Sequence, residues 1–157
     1  MTDPFYSVAS PPDFDKPVRV LIAVSCHDRH VAGVMVQAAQ VVLHAHPIDV
    51  DVIEVERVDE LPSALALSAR MSQFDGFMAL CPLSLDSEAL GQVRDVLSLW
   101  SMQGNLTGAA ILSETSNAPD VEASNAANAL LHLIALGRKW GAQRKGIGFR
   151  PHSDEHN

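Results

Sequence analysis

The side chains in this sequence that could do chemistry lie directly after short apolar segments. Cys26 and His27 follow one such segment, Cys81 ends another, and His30 comes shortly after the first. Thiol and imidazole groups bind zinc, carry redox chemistry and transfer protons. Their spacing here matches no zinc signature, and a cysteine at a strand end is usually a small buried hydrophobic residue. A metal or redox site is one interpretation of the cysteines and simple burial is the other, and we expect no bound metal.

Four apolar segments rich in Val, Ile and Leu must position these groups. They cover residues 18–24, 50–55, 76–81 and 106–112. A stretch with helical spacing of apolar residues follows each segment, and this alternation predicts a parallel sheet covered on both faces. Such sheets bind ligands at the carboxyl ends of their strands. We therefore expect the functional residues just after the strands, in residues 25–29, 56–62, 82–86 and 113–117.

The helical segments indicate how the sheet is covered. We expect helices over residues 29–44, from about Pro62 onwards, and over 87–102 and 119–136. Acidic residues alternate with apolar ones in the second strand, which is typical of an edge strand with one face in water. The fourth helix is apolar on nearly all sides, and this pattern favours burial on two sides, the second against another subunit.

Length and composition are those of a single globular domain. The chain has 157 residues, of which 47% are hydrophobic and 19% charged, which is enough to bury a core. No apolar stretch reaches the roughly 20 residues of a membrane span, and no signal peptide is recognisable. Two cysteines make no disulfide framework. We therefore expect a cytoplasmic protein with no membrane partner.

Charge is unevenly distributed along the chain, and this helps to define its parts. A net charge of −8 argues against nucleic-acid binding. Basic residues gather at the C-terminal end, at Arg138, Lys139, Arg144, Lys145 and Arg150. We divide the chain into an extended N-terminal arm (1–17), an α/β domain (18–138) and a basic, partly disordered tail (139–157). The proline-rich arm either adds a strand to a neighbouring subunit or is a disordered leader.

Three segments together resemble the sequence of one enzyme family in their residues, order and spacing. Residues 25–28, Ser-Cys-His-Asp, take the place of the family's Ser-Arg-Phe-Asn, and residues 60–62, Glu-Leu-Pro, match the end of its second loop. Residues 74–81 resemble its Tyr-Asp-Ala-(Val/Ile)-Ile-Ala-Leu-Gly. These segments resemble lumazine synthase, the penultimate enzyme of riboflavin biosynthesis, and the resemblance covers residues 18–138. It implies a three-layer α/β/α sandwich with a flavodoxin-like four-stranded parallel sheet in the order 2-1-3-4, assembled as a homo-oligomer, a pentamer or decamer.

The family reaction needs no cofactor, so the resemblance implies none here. The family condenses 5-amino-6-ribitylaminouracil with a butanone phosphate by positioning both substrates, with one His assisting proton transfer. Pyrimidines, lumazines and flavins are the implied ligands. Carried over by position, the substrate-binding residues are Ser25, His27, Asp28, Arg57, Val58, Asp59, Glu60, Leu83, Ser84 and Ser113.

Two phosphate-binding elements of the family are missing from the sequence. The family's third loop carries Gly-x-Thr-x-His-(Phe/Tyr), whereas residues 81–87 read Cys-Pro-Leu-Ser-Leu-Asp-Ser. An acid such as Asp86 would repel a phosphate. Residues 113–129, where the family has a phosphate-binding Arg, contain no Arg or Lys. The remaining candidates for binding the phosphate are Arg57 and the basic tail of a neighbouring subunit.

Other positions of the family site have also changed. His27 replaces the aromatic residue that stacks on the pyrimidine, and Asp59 replaces the aromatic residue of the second loop. His27 or His30 could be a replacement general base. The alternative is that His27 is a polar loop residue and His30 a surface residue near a helix start. Glu60 stands at the position where the family has the glutamate that contacts the ribityl chain. The other interpretation is that Glu60 caps a helix, because a carboxylate near Pro62 is favoured by the helix dipole.

Three functions therefore stay open at the level of sequence. The first is a divergent relative that binds a pyrimidine, lumazine or flavin with weak or lost catalysis, in which His27 is the candidate catalytic residue. The second is a non-catalytic assembly protein that uses the fold to oligomerise. The third is a working synthase with a rebuilt phosphate site, whose turnover would depend on Arg57 or His27.

Overall fold

A computed structural model describes residues 13–26, 28–82, 88–103, 109–114 and 118–146. The elements are β1 (Val18–Ser25), α1 (Arg29–His44), β2 (Ile48–Val55), a 3-10 turn (Val58–Glu60), α2 (Leu61–Met71), β3 (Gly76–Cys81), α3 (Glu88–Gln103), β4 (Ala109–Glu114) and α4 (Pro119–Gly146). The strands form one parallel sheet in the order β2-β1-β3-β4. The predicted three-layer sandwich, the strand order and the edge position of the second strand are confirmed.

Alternate residues of β1 face opposite sides of the sheet and divide the core in two. Val20, Ile22 and Val24 pack in a cluster with α1 and α4, whereas Leu21 and Ala23 pack in a cluster with α2 and α3. All five side chains are buried. Two helices thus cover each face at the centre of the sheet, which explains why the first strand is apolar almost throughout.

Helix α4 lies close to the amino ends of β1 and β3. A Cβ atom added to Gly76 would come within 2.7 Å of Ile134 Cδ1, so the absence of a side chain lets the strand and the helix approach. Further along the helix, the Arg138 guanidinium donates hydrogen bonds to the carbonyl oxygens of Lys16 (2.9 Å) and Pro17 (2.8 Å). These contacts attach the second half of α4 to the start of β1.

Asp75 connects the same helix to both strands. Its Oδ2 accepts a hydrogen bond from the backbone N–H of Arg19 at 2.9 Å, and its Oδ1 lies 3.5 Å from the Arg138 guanidinium. That guanidinium also lies 5.6 Å from the centre of the Phe14 ring. We term Asp75, Arg138 and Phe14 the amino-edge latch, because they hold α4 against the amino ends of the sheet.

Two predicted boundaries were wrong. β4 continues to Glu114 instead of ending at residue 112, in a register that pairs Ala109 with Gly76 and Glu114 with Cys81. Its expected first residues, 106–108, lie outside the described ranges. α4 ends at Gly146 instead of residue 136, so residues 139–146 of the expected tail are helical. Residues 1–12 and 147–157 lie outside the described ranges, and the roles given to the arm and the rest of the tail stay predictions.

None of the helices in the described ranges combines the length and the apolar character that crossing a bilayer requires.

Candidate functional site

The carboxyl ends of β1 and β2 lie side by side. Ser25 pairs with Val55 in the strand register, and the N–H of Cys26 donates a hydrogen bond to the Val55 carbonyl at 2.8 Å. The two loops that follow therefore leave the sheet together. We term the region formed by the strand ends and the helix starts above them the carboxyl edge. It contains Asp28 and residues 56–60, as the sequence predicted.

The loop after β2 is held by its own contacts. Val58 is buried in the core cluster that includes α2 and α3, which anchors the middle of the loop. The backbone N–H of Arg57 donates to Oε1 of Glu60 at 2.9 Å. Glu60 therefore closes the 3-10 turn that leads into α2, but it makes no side-chain cap hydrogen bond to α2 itself, and its contact with a ligand stays a prediction.

Arg57, the expected replacement anchor, is paired within its own loop. Its Nε and Nη2 donate to the two carboxylate oxygens of Asp59 at 3.0 and 2.7 Å. This hydrogen bond and the charge of Asp59 raise the pKa of Arg57 above its usual value. The side chains are 74% and 48% exposed, and an exposed pair of this kind contributes little to stability. A phosphate at Arg57 would therefore compete with a carboxylate that is already in place.

Carboxylates stand at every helix start described at the carboxyl edge. The side chain of Asp28 caps α1 by accepting a hydrogen bond from the N–H of Val31 at 3.1 Å. The other acids of first turns are Asp59 and Glu60 ahead of α2, Glu88 in α3, and Asp120 and Glu122 in α4. Acids at these positions stabilise helices through the helix dipole, and together they make this edge negative.

The structure separates the two cysteines. Cys81 is buried in the core cluster with α2 and α3, whereas Cys26 lines a groove between α1 and β2, on the opposite face of the sheet. Neither cysteine forms a disulfide in the described part of the chain. In the part of the chain that the structure describes, no three His, Cys, Asp or Glu side chains group as a metal would require. This geometry favours burial as the interpretation of Cys81.

The groove between α1 and β2 was not foreseen from the sequence. It has a volume of about 500 Å³, with Cys26, Arg29 and Glu54 at one end and Val36 and Val52 among its apolar lining residues. Arg29 lies 3.5 Å from Glu54. Burial, and then the nearby Glu54 carboxylate, raise the pKa of the Cys26 thiol. The alternating acids of the second strand were the feature of the sequence that could have indicated this groove, since they place Glu54 on the face that α1 covers only in part.

Two buried hydroxyl groups lie at strand ends. The Oγ atoms of Ser25 and Ser113 are buried without a hydrogen-bond partner in the described residues. Ser25 follows Leu21 and Ala23 in the alternation that faces α2 and α3. Ser113 lines a cavity of about 480 Å³ between β4, α3 and α4. Since β3 separates β1 from β4, the two hydroxyls are about 10 Å apart and do not share one pocket within the subunit.

Some expected site residues are not described. His27, Leu83 and Ser84 lie outside the described ranges, so the catalytic role of His27 stays a prediction. His30 is exposed in the first turn of α1, as its surface interpretation expected.

Comparison with curated proteins finds a relative along most of the chain. The chain is 34% identical over 154 residues to the 6,7-dimethyl-8-ribityllumazine synthase of Jannaschia sp. (strain CCS1), and the match covers 89% of this chain and 86% of the relative. No family model matches the chain.

Proposed function

The chain belongs to the 6,7-dimethyl-8-ribityllumazine synthase family, and we propose that it is a divergent member with a retained ring pocket and a degenerate phosphate site. In this proposal the carboxyl edge binds a ribityl-bearing pyrimidine, lumazine or flavin. Condensation with a butanone phosphate is weak or lost.

The arrangement of the loops after β1 and β2 is the observation that carries this proposal. The hydrogen bond from Cys26 to Val55 keeps the two loops together, and burial of Val58 fixes the second loop. Glu60, at the position that contacts the ribityl chain in the family, is oriented by its bond to the backbone of Arg57. This geometry supports a preformed place for the ribityl-bearing substrate.

This chain lacks the residues that bind the substrate phosphate in the family. Residues 81–87 contain no Gly, Thr or His, and residues 113–129 contain no Arg or Lys. A hydrogen bond to a charged group contributes about 1.5–3 kcal/mol. The loss of two such contacts would weaken binding of the phosphorylated substrate by about 10²- to 10⁴-fold, which supports weak or lost turnover.

Exposed apolar side chains support the proposal of a homo-oligomer, a pentamer or decamer. Leu67 and Met71 of α2 are 53% and 81% exposed, and Leu99 and Met102 of α3 are 49% and 82% exposed. Four exposed apolar side chains on two helices of the same layer favour an interface with another subunit. The same observation favours the alternative of a non-catalytic assembly protein, which needs the interfaces but no ligand.

The remaining alternative is a working synthase with a rebuilt phosphate site. The exposure of Arg57 favours it, because a weak surface pair can exchange its carboxylate for a phosphate. In that case Arg57→Ala or His27→Ala would greatly reduce turnover, and unchanged turnover in both would exclude these replacements.

Titration with 6,7-dimethyl-8-ribityllumazine, followed by its fluorescence, tests the proposed pocket. We expect saturable binding, and we expect Glu60→Gln to weaken it about 5- to 20-fold through loss of a charge-assisted contact. Glu56→Gln, the same change at an exposed residue earlier in the loop, is the matched control. Absence of saturable binding to the unaltered protein would refute the pocket and leave the assembly role.

A further inference from the structure

The groove between α1 and β2 leaves part of the apolar surface of β2 uncovered. In the part of the chain that the structure describes, β2 is an edge strand and pairs with β1 alone. Val50 packs on the core cluster that contains α1, and Val52, two residues further on the same face, is 37% exposed. Val52 and Val36 of α1 both line the groove. An apolar strand edge of this kind is normally covered by another segment.

The described chain begins beside the amino end of this groove. Phe14 packs against the core cluster that contains α1 and α4. Its ring meets the ring of His46 edge-on, with the two centres 6.2 Å apart, and His46 lies in the turn between α1 and β2. Phe14 is therefore held next to the start of β2, on the face of the sheet where the groove lies. Residues 1–12 precede it in the chain.

The length of this preceding segment matches the length of the groove. The groove follows α1 from Arg29 to Gln40, which is about 17 Å at 1.5 Å per residue. A segment in extended conformation covers about 3.3 Å per residue. The stretch from Phe14 back to Tyr6 therefore spans about 26 Å, and along β2 it reaches the level of Cys26, which follows the last residue of β1.

The composition of the segment also suits the groove. Residues 5–12 read Phe-Tyr-Ser-Val-Ala-Ser-Pro-Pro and carry no charged side chain. The two charged residues of the groove, Arg29 and Glu54, lie 3.5 Å apart and offset each other. Because alternate residues of an extended chain share a face, Tyr6 and Val8 share the face that Phe14 turns towards the core.

From these observations we propose that residues 5–10 fold back over the groove between α1 and β2 of their own chain, antiparallel to β2. We term residues 5–10 the strap. Tyr6 and Val8 cover the exposed apolar side of β2, and the strap closes the groove over the thiol of Cys26. Residues 147–157 suit the groove less, because they include charged side chains that burial would desolvate.

The rate of iodoacetamide labelling of Cys26, measured by peptide mass spectrometry, reports whether the groove is covered. Deleting residues 2–10 keeps the contacts of Phe14 and should raise this rate at least about fivefold at a fixed pH, because no opening step then precedes the reaction. Cys81, which is buried in the core, should stay unlabelled in both proteins and shows that the fold is intact.

A matched pair of substitutions tests which face of the strap covers the groove. Val8→Asn places a polar amide against the apolar side of β2 and should raise the Cys26 labelling rate at least about threefold. Ser7→Asn introduces the same amide on the opposite face of the strap and should leave the rate within about 1.5-fold. Both substitutions are neutral, so neither changes the charge around the thiol.

The variant Tyr6→Cys tests whether the strap lies on its own chain. Under mild oxidation by copper phenanthroline in air, the introduced thiol should form a disulfide with Cys26 within one chain. A monomer on a non-reducing denaturing gel, together with the linked peptide pair in mass spectrometry, identifies that product. An unchanged labelling rate after the deletion would overturn the proposal. A disulfide formed only between chains would also overturn it, and would assign the groove to the arm of a second copy.

Discussion

Replacing Arg138 by Ala should lower the free energy of unfolding by about 2 kcal/mol. The guanidinium donates to the carbonyls of Lys16 and Pro17 at 2.9 and 2.8 Å. It also lies 3.5 Å from Asp75, in a pair whose side chains are 28% and 39% exposed. Two partly exposed hydrogen bonds at about 0.5–1 kcal/mol each and an ion pair below about 1 kcal/mol add up to this amount. Contact with the Phe14 ring adds about 0.5 kcal/mol at such a site.

Urea unfolding followed by far-ultraviolet circular dichroism at one fixed protein concentration measures the effect, because association would otherwise change the apparent stability. Arg138→Lys should recover less than half of the loss, since an ammonium cannot contact both carbonyls and the carboxylate in the same way. Lys16→Ala is the control, because it removes a nearby exposed cation but keeps the carbonyl. A loss below about 0.5 kcal/mol, or one equal to that of the control, would refute the amino-edge latch as a stabilising contact.

Two further predictions concern glycine packing and the Cys26 thiol. Gly76→Ala should destabilise the fold by about 1–3 kcal/mol through overpacking against α4. The control, Gly33→Ala, has open space around its Cβ position in α1 and should stabilise the fold by about 0.5–1 kcal/mol. Equal effects of the two substitutions in urea unfolding would contradict the close approach of β3 and α4 at Gly76. The pKa of Cys26 is raised by burial and by Glu54, so less thiolate is present at a given pH and alkylation should be slow near neutral pH. Glu54→Gln should move the pH profile of iodoacetamide labelling to lower pH, and an unmoved profile would exclude the carboxylate as a cause.

The sheet could be predicted from the sequence because its signal is local. Each strand is a short apolar segment followed by helical spacing, and burial on both faces explains why β1 is apolar almost throughout and β3 throughout. The edge position of β2 followed from its alternating acids. The last residues of β4 were missed because the extent of the strand depends on pairing with β3, which periodicity does not show.

The contacts between distant residues could not be predicted. The last helix was expected to end at residue 136, but Arg138 is anchored on the chain before β1, and such tertiary contacts override weak helix propensity. Periodicity also gave no sign that Arg57 is neutralised by Asp59. At the carboxyl edge the positions of Asp28 and Glu60 were foreseen. The predicted strand order also placed β3 between Ser25 and Ser113, and the structure has that order.

The rate of lumazine formation as a function of butanone phosphate concentration tests the central claim most directly. Purified protein is supplied with saturating 5-amino-6-ribitylaminouracil, and product absorbance is compared with the uncatalysed reaction. The lost phosphate contacts predict a rate at or near background that rises linearly with butanone phosphate and does not saturate. A rate well above background that saturates at low butanone phosphate would contradict the account and show that the phosphate site has been rebuilt.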